Sequence, residues 1–258
     1  RDFCLSRGLG DVYKRQGNPA PEAFPVETIA KLSADIFREE PINALQYSIT
    51  EGYPKLREWL KADLTKKGLF RDGDQVVITS GAQQAIETTA KILCNEGDVI
   101  ICEDPAFVGS LNAFRSYGVK LVGVPMDDDG MKPDSLEEAL RSNPTTKFIY
   151  TIPNFQNPTG RTTTLQRRKE ILALAEKYGV YILEDNPYGA LRFEGEDVKS
   201  IKELDTKGNV LYCGTFSKTL APGLRVGYLL GASDVVSKAV VGLQTSTVPT
   251  NTLSLIHI

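Results

Sequence analysis

Short apolar runs alternate with longer amphipathic stretches along most of the chain. In the apolar runs, such as residues 180–184, nearly every position is apolar, which is typical of buried strands. The stretches between them span about ten to fifteen residues and repeat apolar side chains three or four positions apart, as helices do. The pattern predicts strands at 76–79, 98–102, 119–124, 147–152, 180–184, 210–213 and 226–230.

The predicted helices have recognisable ends. Pro54 is expected to begin a helix that stops at Gly68. Thr164 is expected to cap a helix that ends before Gly179, and Ser233 to cap one that reaches about residue 243. Other helices are predicted at about 24–38, 82–95, 107–117 and 135–141. This alternation predicts an α/β fold in which helices cover both faces of a mainly parallel, mixed sheet.

Composition narrows the class of protein. The 258 residues are 41% hydrophobic and 24% charged, and the net charge of −3 gives no argument for a nucleic-acid or membrane partner. No apolar run approaches the roughly 20 residues of a membrane helix. Cys94, Cys102 and Cys213 lie in apolar stretches without metal-ligand spacing, so we expect reduced core cysteines, no metal site and a cytoplasmic protein.

The two ends of the chain are related through their possible codons. Segment 11–16 (DVYKRQ) and segment 253–258 (LSLIHI) can be encoded by reverse-complementary codons when one of them is read backwards. A single oligonucleotide read on both strands would encode both segments. We therefore expect residues 1–16 and 253–258 to derive from an adaptor, and we set them aside together with the only histidine, His257.

A lysine lies in the connection between the last two predicted strands. Lys218 is surrounded by small and hydroxyl residues, including Thr215 and Ser217, and Arg225 follows seven positions later. Connections at the rim of a sheet often hold functional side chains. A lysine amine can condense with an aldehyde, and the two hydroxyls and the guanidinium could hold an anion beside it. A surface lysine in a turn would be the preferred interpretation if this segment stood alone.

Three other strand ends carry candidate groups. The turn after strand 76–79 leads into a helix, whose first backbone N–H groups, at Ala82 and Gln83, are assigned to a phosphate. Asp185 directly follows strand 180–184, and a protonated pyridine nitrogen would be a suitable partner, with a hydrogen bond worth about 1.5–3 kcal/mol. Phe107 follows strand 98–102 and could stack on a heterocycle. The alternatives are a turn-forming aspartate and a core phenylalanine.

Taken together, these segments resemble class I/II aminotransferases, which are fold-type-I enzymes that use pyridoxal 5'-phosphate. Segment 214–228 resembles their cofactor-lysine motif, and NPTG at 157–160 resembles their Asn-Pro-Thr-Gly motif. Segments 17–25 (GNPAPEAFP) and 217–225 (SKTLAPGLR) are most similar to the 2-aminoadipate/aromatic aminotransferase group. The resemblance implies an N-terminal arm and helix at 17–46 and a cofactor-binding large domain at 47–252. It also implies that the smaller C-terminal domain, with its carboxylate-binding arginine, is missing.

The resemblance implies roles for individual residues. Asn157 and Tyr188 would donate to the phenolic oxygen of the cofactor, and Tyr47 would reach the cofactor phosphate of the other subunit in a homodimer. The Asn157–Pro158 bond is expected to be cis. The implied catalytic residues are Lys218, Asp185 and Tyr188. The implied cofactor-binding residues are Lys218, Ala82, Gln83, Phe107, Asn157, Asp185, Tyr188, Thr215, Ser217, Arg225 and Tyr47.

The implied reaction moves an amino group from a 2-aminoadipate-like or aromatic amino acid to a 2-oxo acid such as 2-oxoglutarate. We expect the fragment alone to be inactive or poorly soluble, since truncation exposes surface that the small domain would cover. Two alternatives stay open, because a fold does not fix a function. One is the effector-binding, aminotransferase-like domain of a winged-helix transcription regulator, the only alternative with a nucleic-acid partner. The other is a different pyridoxal phosphate reaction, such as that of a β-lyase.

Overall fold

The computed structural model describes residues 17–247 and 251–252. The expected adaptor segments, 1–16 and 253–258, and part of the predicted C-terminal loop therefore lie outside the described residues. In the described part, eight strands form one sheet. They are β1 Asp74–Thr79, β2 Val99–Asp104, β3 Lys120–Asp127, β4 Gly130–Met131, β5 Thr146–Thr151, β6 Tyr181–Asp185, β7 Val210–Thr215 and β8 Gly227–Ala232.

The helices begin and end largely where the sequence indicates. Pro54 occupies the first turn of its helix, and the Thr164 side chain accepts a hydrogen bond from the backbone N–H of Arg167, as an N-cap does. Gly179 ends that helix in the left-handed conformation. The helices are α1 Val26–Glu39, α2 Pro41–Leu45, α3 Pro54–Lys66, α4 Ala82–Leu93, α5 Val108–Arg115, α6 Pro133–Ser142, α7 Leu165–Tyr178, α8 Ile201–Leu204 and α9 Ser233–Gln244.

The sheet is mixed and mainly parallel, which confirms the predicted fold class. Its strand order is β1-β8-β7-β6-β5-β2-β3-β4. The five strands from β7 to β3 in this order are parallel, whereas β8 runs antiparallel to both of its neighbours and β4 runs antiparallel to β3. The carboxyl ends of β1, β2, β5, β6 and β7 therefore lie along one edge, where β8 begins.

Helices cover both faces of the sheet. On one face, Val77, Ile100 and Tyr150 pack with residues of α4, α5 and α9. On the other, Ile101 and Ile182 pack with residues of α6 and α7, and α3 covers the β1 and β8 end. Because both faces are buried, the central strands carry continuous apolar runs, such as residues 76–78, 99–102 and 148–150. No helix in the described part of the chain is long and apolar enough to cross a membrane.

Some local predictions were incomplete or wrong. Ser233 is the first residue of α9 and does not cap it, since the N-cap is Ala232 and no side chain bonds the free N–H groups. The short elements α2, α8 and β4 were not predicted because each is too brief to show a period. Cys102 and Cys213 are buried and Cys94 is partly buried; all three are free thiols, as expected.

Candidate active site

The predicted site residues meet in one cavity of about 320 Å³ at the edge where the parallel strands end. Most of them follow the carboxyl end of a strand, and Arg225 lies close to the start of the antiparallel strand β8. Parallel α/β sheets bind ligands at this edge. Ten of the eleven predicted residues line the cavity, namely Ala82, Gln83, Phe107, Asn157, Asp185, Tyr188, Thr215, Ser217, Lys218 and Arg225.

Tyr47 is the predicted residue that lies elsewhere. Its side chain is 84% exposed and borders a separate groove together with Tyr53 and Lys55. The structure thus gives Tyr47 no part in the cavity of its own chain. Its predicted role in the site of another subunit stays a prediction.

Asp185 forms the acidic part of the cavity. It is 3% exposed, and its Oδ2 accepts a hydrogen bond of 2.8 Å from the Tyr150 hydroxyl. Its Oδ1 is the only buried side-chain nitrogen or oxygen in the described part of the chain without a hydrogen bond. Burial raises the pKa of Asp185 to about 7, against the lowering effect of Tyr150. An unpartnered buried acceptor at a cavity wall fits a ligand that brings a donor.

Lys218 provides the amine of the cavity. Its Nζ donates to the backbone carbonyl of Gly17 at 2.6 Å and lies 5.9 Å from the centre of the Tyr188 ring. Burial, with a smaller contribution from Arg225, lowers the pKa of Lys218. The neutral amine, which is the nucleophilic form, is therefore formed more readily than on a fully exposed lysine.

The phenol of Tyr188 and the amide of Asn157 form a pair of hydrogen-bond donors in the cavity. Nδ2 of Asn157 donates to the Tyr188 hydroxyl at 3.3 Å. Burial raises the pKa of Tyr188, which keeps its hydroxyl protonated and able to donate. The Asn157–Pro158 bond is cis, as predicted, and the Asp104–Pro105 bond is also cis.

Arg225, Gly81 and the N-terminus of α4 form a cationic pocket. A methyl group added at Gly81 would lie 2.4 Å from Nη2 of Arg225, and Gly81 has a φ of +76°. Only glycine therefore allows the guanidinium to lie against this turn. The hydroxyls of Thr215 and Ser217 lie 2.9 Å apart on the same wall. Free helix N–H groups, two hydroxyls and a guanidinium are a suitable set for a phosphate.

Phe107 is the N-cap residue of α5 and contributes its side chain both to the cavity and to the core. Its ring is partly buried against the apolar core that includes Ile100 and Tyr150, and a methyl group added at Gly109 would lie 2.7 Å from the ring. The two interpretations made from the sequence, a core phenylalanine and a stacking ring, are therefore compatible with one position.

Sequence reasoning missed Glu103, a buried carboxylate beneath the site. It accepts hydrogen bonds from the Thr151 hydroxyl, the Ile152 backbone N–H and the Gln156 side-chain amide. Gln156 in turn accepts from the backbone and hydroxyl of Thr159, so Glu103 shapes the loop that carries Asn157. Burial raises the pKa of Glu103 to about 7. The available signal was an acidic residue directly after the apolar run 99–102, within the same strand.

The fold and the cavity define the large-domain class of fold-type-I enzymes. The structure aligns with an α-aminoadipate aminotransferase of Thermus thermophilus, solved with N-(5'-phosphopyridoxyl)-L-leucine, at a TM-score of 0.86 and 36% identity over 93% of this chain and 61% of that one. The model for aminotransferase class I and II matches residues 16–256, and the chain belongs to that family.

Two further relatives show the range of similar proteins. The chain is 41% identical to aromatic-amino-acid aminotransferase 1 of Thermococcus litoralis, over 92% of this chain and 58% of the relative. It is 38% identical to an uncharacterised HTH-type transcriptional regulator of Bacillus subtilis, over 86% of this chain and 45% of the regulator. The chain thus spans less than two thirds of the length of each of these three proteins.

The cavity fits the cofactor that the family indicates, pyridoxal phosphate. The unpartnered oxygen of Asp185 suits the protonated ring nitrogen, and the lysine amine suits the aldehyde. The cationic pocket at Gly81 and Arg225 suits the phosphate. Each polar part of the cofactor therefore has a matching group in the cavity wall.

Proposed function

We propose that this chain is the cofactor-binding part of an aminotransferase. The enzyme would move the amino group of an aromatic or 2-aminoadipate-like amino acid to a 2-oxo acid such as 2-oxoglutarate. The observation that carries the proposal is the unpartnered, buried carboxylate oxygen of Asp185 in the same cavity as Lys218. Burying a carboxylate without a second partner is unfavourable unless a ligand supplies one.

Pyridoxal phosphate, when bound, supplies an electron sink for the charge released at the substrate α-carbon. Asp185 would accept the ring N–H through Oδ1 and keep that nitrogen protonated. Nζ of Lys218 would hold the aldehyde carbon in the resting protein and move the α-proton of the amino acid. The lowered pKa of Lys218 supports this role, because a base must be neutral to take a proton.

The other wall residues would bind and orient the cofactor. Asn157 and Tyr188 would donate to its phenolic oxygen, and Phe107 would stack on its ring. The phosphate would be bound by the backbone N–H groups of Ala82 and Gln83, the hydroxyls of Thr215 and Ser217, and Arg225.

The proposal includes a cytoplasmic homodimer in which Tyr47 contacts the phosphate of the partner subunit. The 84% exposure of Tyr47 supports this part, because a side chain that reaches into another subunit must be accessible in its own. The dimer is expected of the full-length protein, and sedimentation of that protein at several concentrations tests it. A species that remains monomeric at every concentration, with pyridoxal phosphate present, would contradict it.

Borohydride reduction tests the covalent assignment. The protein is mixed with pyridoxal phosphate, reduced and digested, and the modified peptide is identified by mass. We expect the label on Lys218 and its loss in Lys218→Ala, whereas the control Lys238→Ala, on the exposed face of α9, should keep it. A label that persists in Lys218→Ala would overturn the assignment.

The second candidate is an effector-binding domain of a transcription regulator, and the similarity to the Bacillus subtilis regulator favours it. Both candidates share the cofactor site, and the fragment alone is expected to be inactive, so turnover of the full-length protein must separate them. Amino transfer from an aromatic amino acid or 2-aminoadipate to 2-oxoglutarate supports the enzyme. Pyruvate and ammonia release would instead indicate a β-lyase, and tight cofactor binding without turnover would favour the regulator.

A further inference from the structure

A chain of hydroxyl groups runs behind Asp185, away from the cavity. Oγ of Ser110 donates to the Tyr150 hydroxyl at 2.7 Å, and the Tyr150 hydroxyl donates to Oδ2 of Asp185 at 2.8 Å. All three residues are buried, with exposures of 0%, 0% and 3%. They come from α5, β5 and β6, so the contact depends on the tertiary fold.

The direction of these hydrogen bonds follows from proton counting. Each hydroxyl has one proton to donate. Because Ser110 occupies a lone pair of the phenol oxygen, the Tyr150 proton is left to point at Asp185. Burial and the charge of Asp185 raise the pKa of Tyr150 well above its usual range, so the phenol stays protonated. A donor that itself accepts a hydrogen bond is also polarised towards stronger donation.

The position of the Tyr150 ring is fixed independently of Asp185. The ring packs edge-on against Phe114, with centroids 5.3 Å apart and an interplanar angle of 77°. Its backbone is held in the sheet, where Tyr150 pairs with Leu183 of β6. The hydroxyl is therefore presented to the carboxylate by a rigid support rather than by a flexible side chain.

We propose that Tyr150 is a positioning residue for Asp185: its hydroxyl, oriented by Ser110, occupies Oδ2 and leaves Oδ1 alone to meet the cavity. Two consequences follow from this geometry. The carboxylate cannot rotate to use both oxygens on the ligand without losing this hydrogen bond, and the hydrogen bond partly offsets the cost that burial imposes on the ionised form. That Oδ1 accepts a hydrogen bond from the ring nitrogen of a cofactor rests on the proposed function. The effect of Tyr150 on the position and pKa of Asp185 does not.

Other ionisable groups lie near Asp185 and must be kept constant in any test. Burial raises the pKa values of Glu103, Tyr188 and Cys213, and the charge of Asp185 raises all three further. None of these three hydrogen-bonds to the carboxylate in the described structure, whereas Tyr150 does. Replacing Tyr150 therefore changes the direct donor and leaves these more distant charges in place.

The experiment compares Tyr150→Phe, Ser110→Ala and the control Tyr117→Phe, whose hydroxyl donates to Glu87 at 3.0 Å outside the cavity. Carbon-13 NMR titration of the Asp185 carboxyl is done first on the cofactor-free protein. We expect Asp185 to bind its proton at least about tenfold more tightly in Tyr150→Phe, since a hydrogen bond to the charged form is lost. Ser110→Ala should raise the proton affinity of Asp185 by a smaller factor, and Tyr117→Phe should leave that affinity unchanged.

The second measurement uses pyridoxal phosphate labelled with nitrogen-15 in the ring. We expect the ring-nitrogen shift of Tyr150→Phe to move towards that of neutral pyridine, while the control matches the wild type. Asp185 titrations that coincide in wild type, Tyr150→Phe and Ser110→Ala would overturn the inference. If Tyr150→Phe does not fold, Ser110→Ala, which removes only a hydroxyl, decides. Failure of the wild type to bind pyridoxal phosphate would refute the proposed function, and the cofactor-free titration would still decide the role of Tyr150.

Discussion

Replacing Asp185 with asparagine should make the cofactor-free protein more stable at alkaline pH. Burial raises the pKa of this carboxyl from 3.8 to about 7. The folded protein therefore holds a proton that the unfolded chain has already released over this range. Stability falls as the pH rises from about 4 to about 7 and stays level above that. Asparagine has nearly the same shape and carries no charge at any of these pH values.

The size of the effect follows from the pKa rise. One pH unit corresponds to 1.36 kcal/mol, so a rise of about three units makes the ionised carboxylate cost about 4 kcal/mol in the folded state. Glu103 adds to the effect in the same direction, because its pKa is raised mainly by burial and in smaller part by the charge of Asp185, which the substitution removes. We expect the free energy of unfolding of Asp185→Asn to rise by about 4 kcal/mol relative to that of the wild type between pH 4 and pH 8.

Urea unfolding of cofactor-free protein at pH 4, 6 and 8 measures this difference. Asp72→Asn, at an exposed turn position, is the control and should follow the wild type at each pH. Comparing the change with pH removes any constant effect of the amide. Saturating pyridoxal phosphate should reverse the order at pH 8, because a ligand stabilises the state that binds it more tightly. Parallel pH profiles for wild type and Asp185→Asn would refute the reasoning.

Three further pairs of substitutions test the local structure by urea unfolding. Gly81 and Gly73 both have positive φ, but an added methyl group meets Arg225 at Gly81 and nothing at Gly73. Gly81→Ala should therefore lose more stability than Gly73→Ala, and only Gly81→Ala should weaken binding of pyridoxal phosphate. Equal losses of stability would contradict this. Phe155 has a φ of 49°, so the Phe155→Gly protein should be about 1 kcal/mol more stable than the Phe155→Ala protein. The reverse order would contradict the claim that the backbone is strained at this position. Thr164→Ala should cost about 1 kcal/mol and Ser233→Ala almost nothing, since only Thr164 caps a helix; similar losses would contradict this.

Much of the fold could be predicted because its signals are local. Pro54, Thr164 and Gly179 act within one helical turn of their own position, so the sequence alone indicates their effect. The meeting of distant residues in the cavity was also predictable, for a different reason. Parallel strands joined by helices must end at the same edge of the sheet, so residues that follow separate strands are brought together.

Long-range hydrogen bonds could not be predicted from the sequence. The four-residue helix α8 is bonded at its first two N–H groups by the Glu184 carboxylate, about 17 positions earlier. Glu103 bonds to groups about 50 positions later, and Tyr150 bonds to Asp185 from a neighbouring strand. No periodicity marks such partners, because each contact depends on the strand order of the finished sheet.

The antiparallel strand β8 explains why the amine and the guanidinium share one cavity. Thr215 pairs with Gly227, so both ends of connection 216–226 lie side by side at the sheet edge. Lys218 lies near the first end and Arg225 near the second. A methyl group added at Gly227 would lie 2.7 Å from the backbone nitrogen of Ala82, so the start of β8 also lies against the N-terminus of α4. One strand inserted between β1 and β7 therefore joins the amine to the phosphate pocket, and a parallel strand there would begin at the opposite edge.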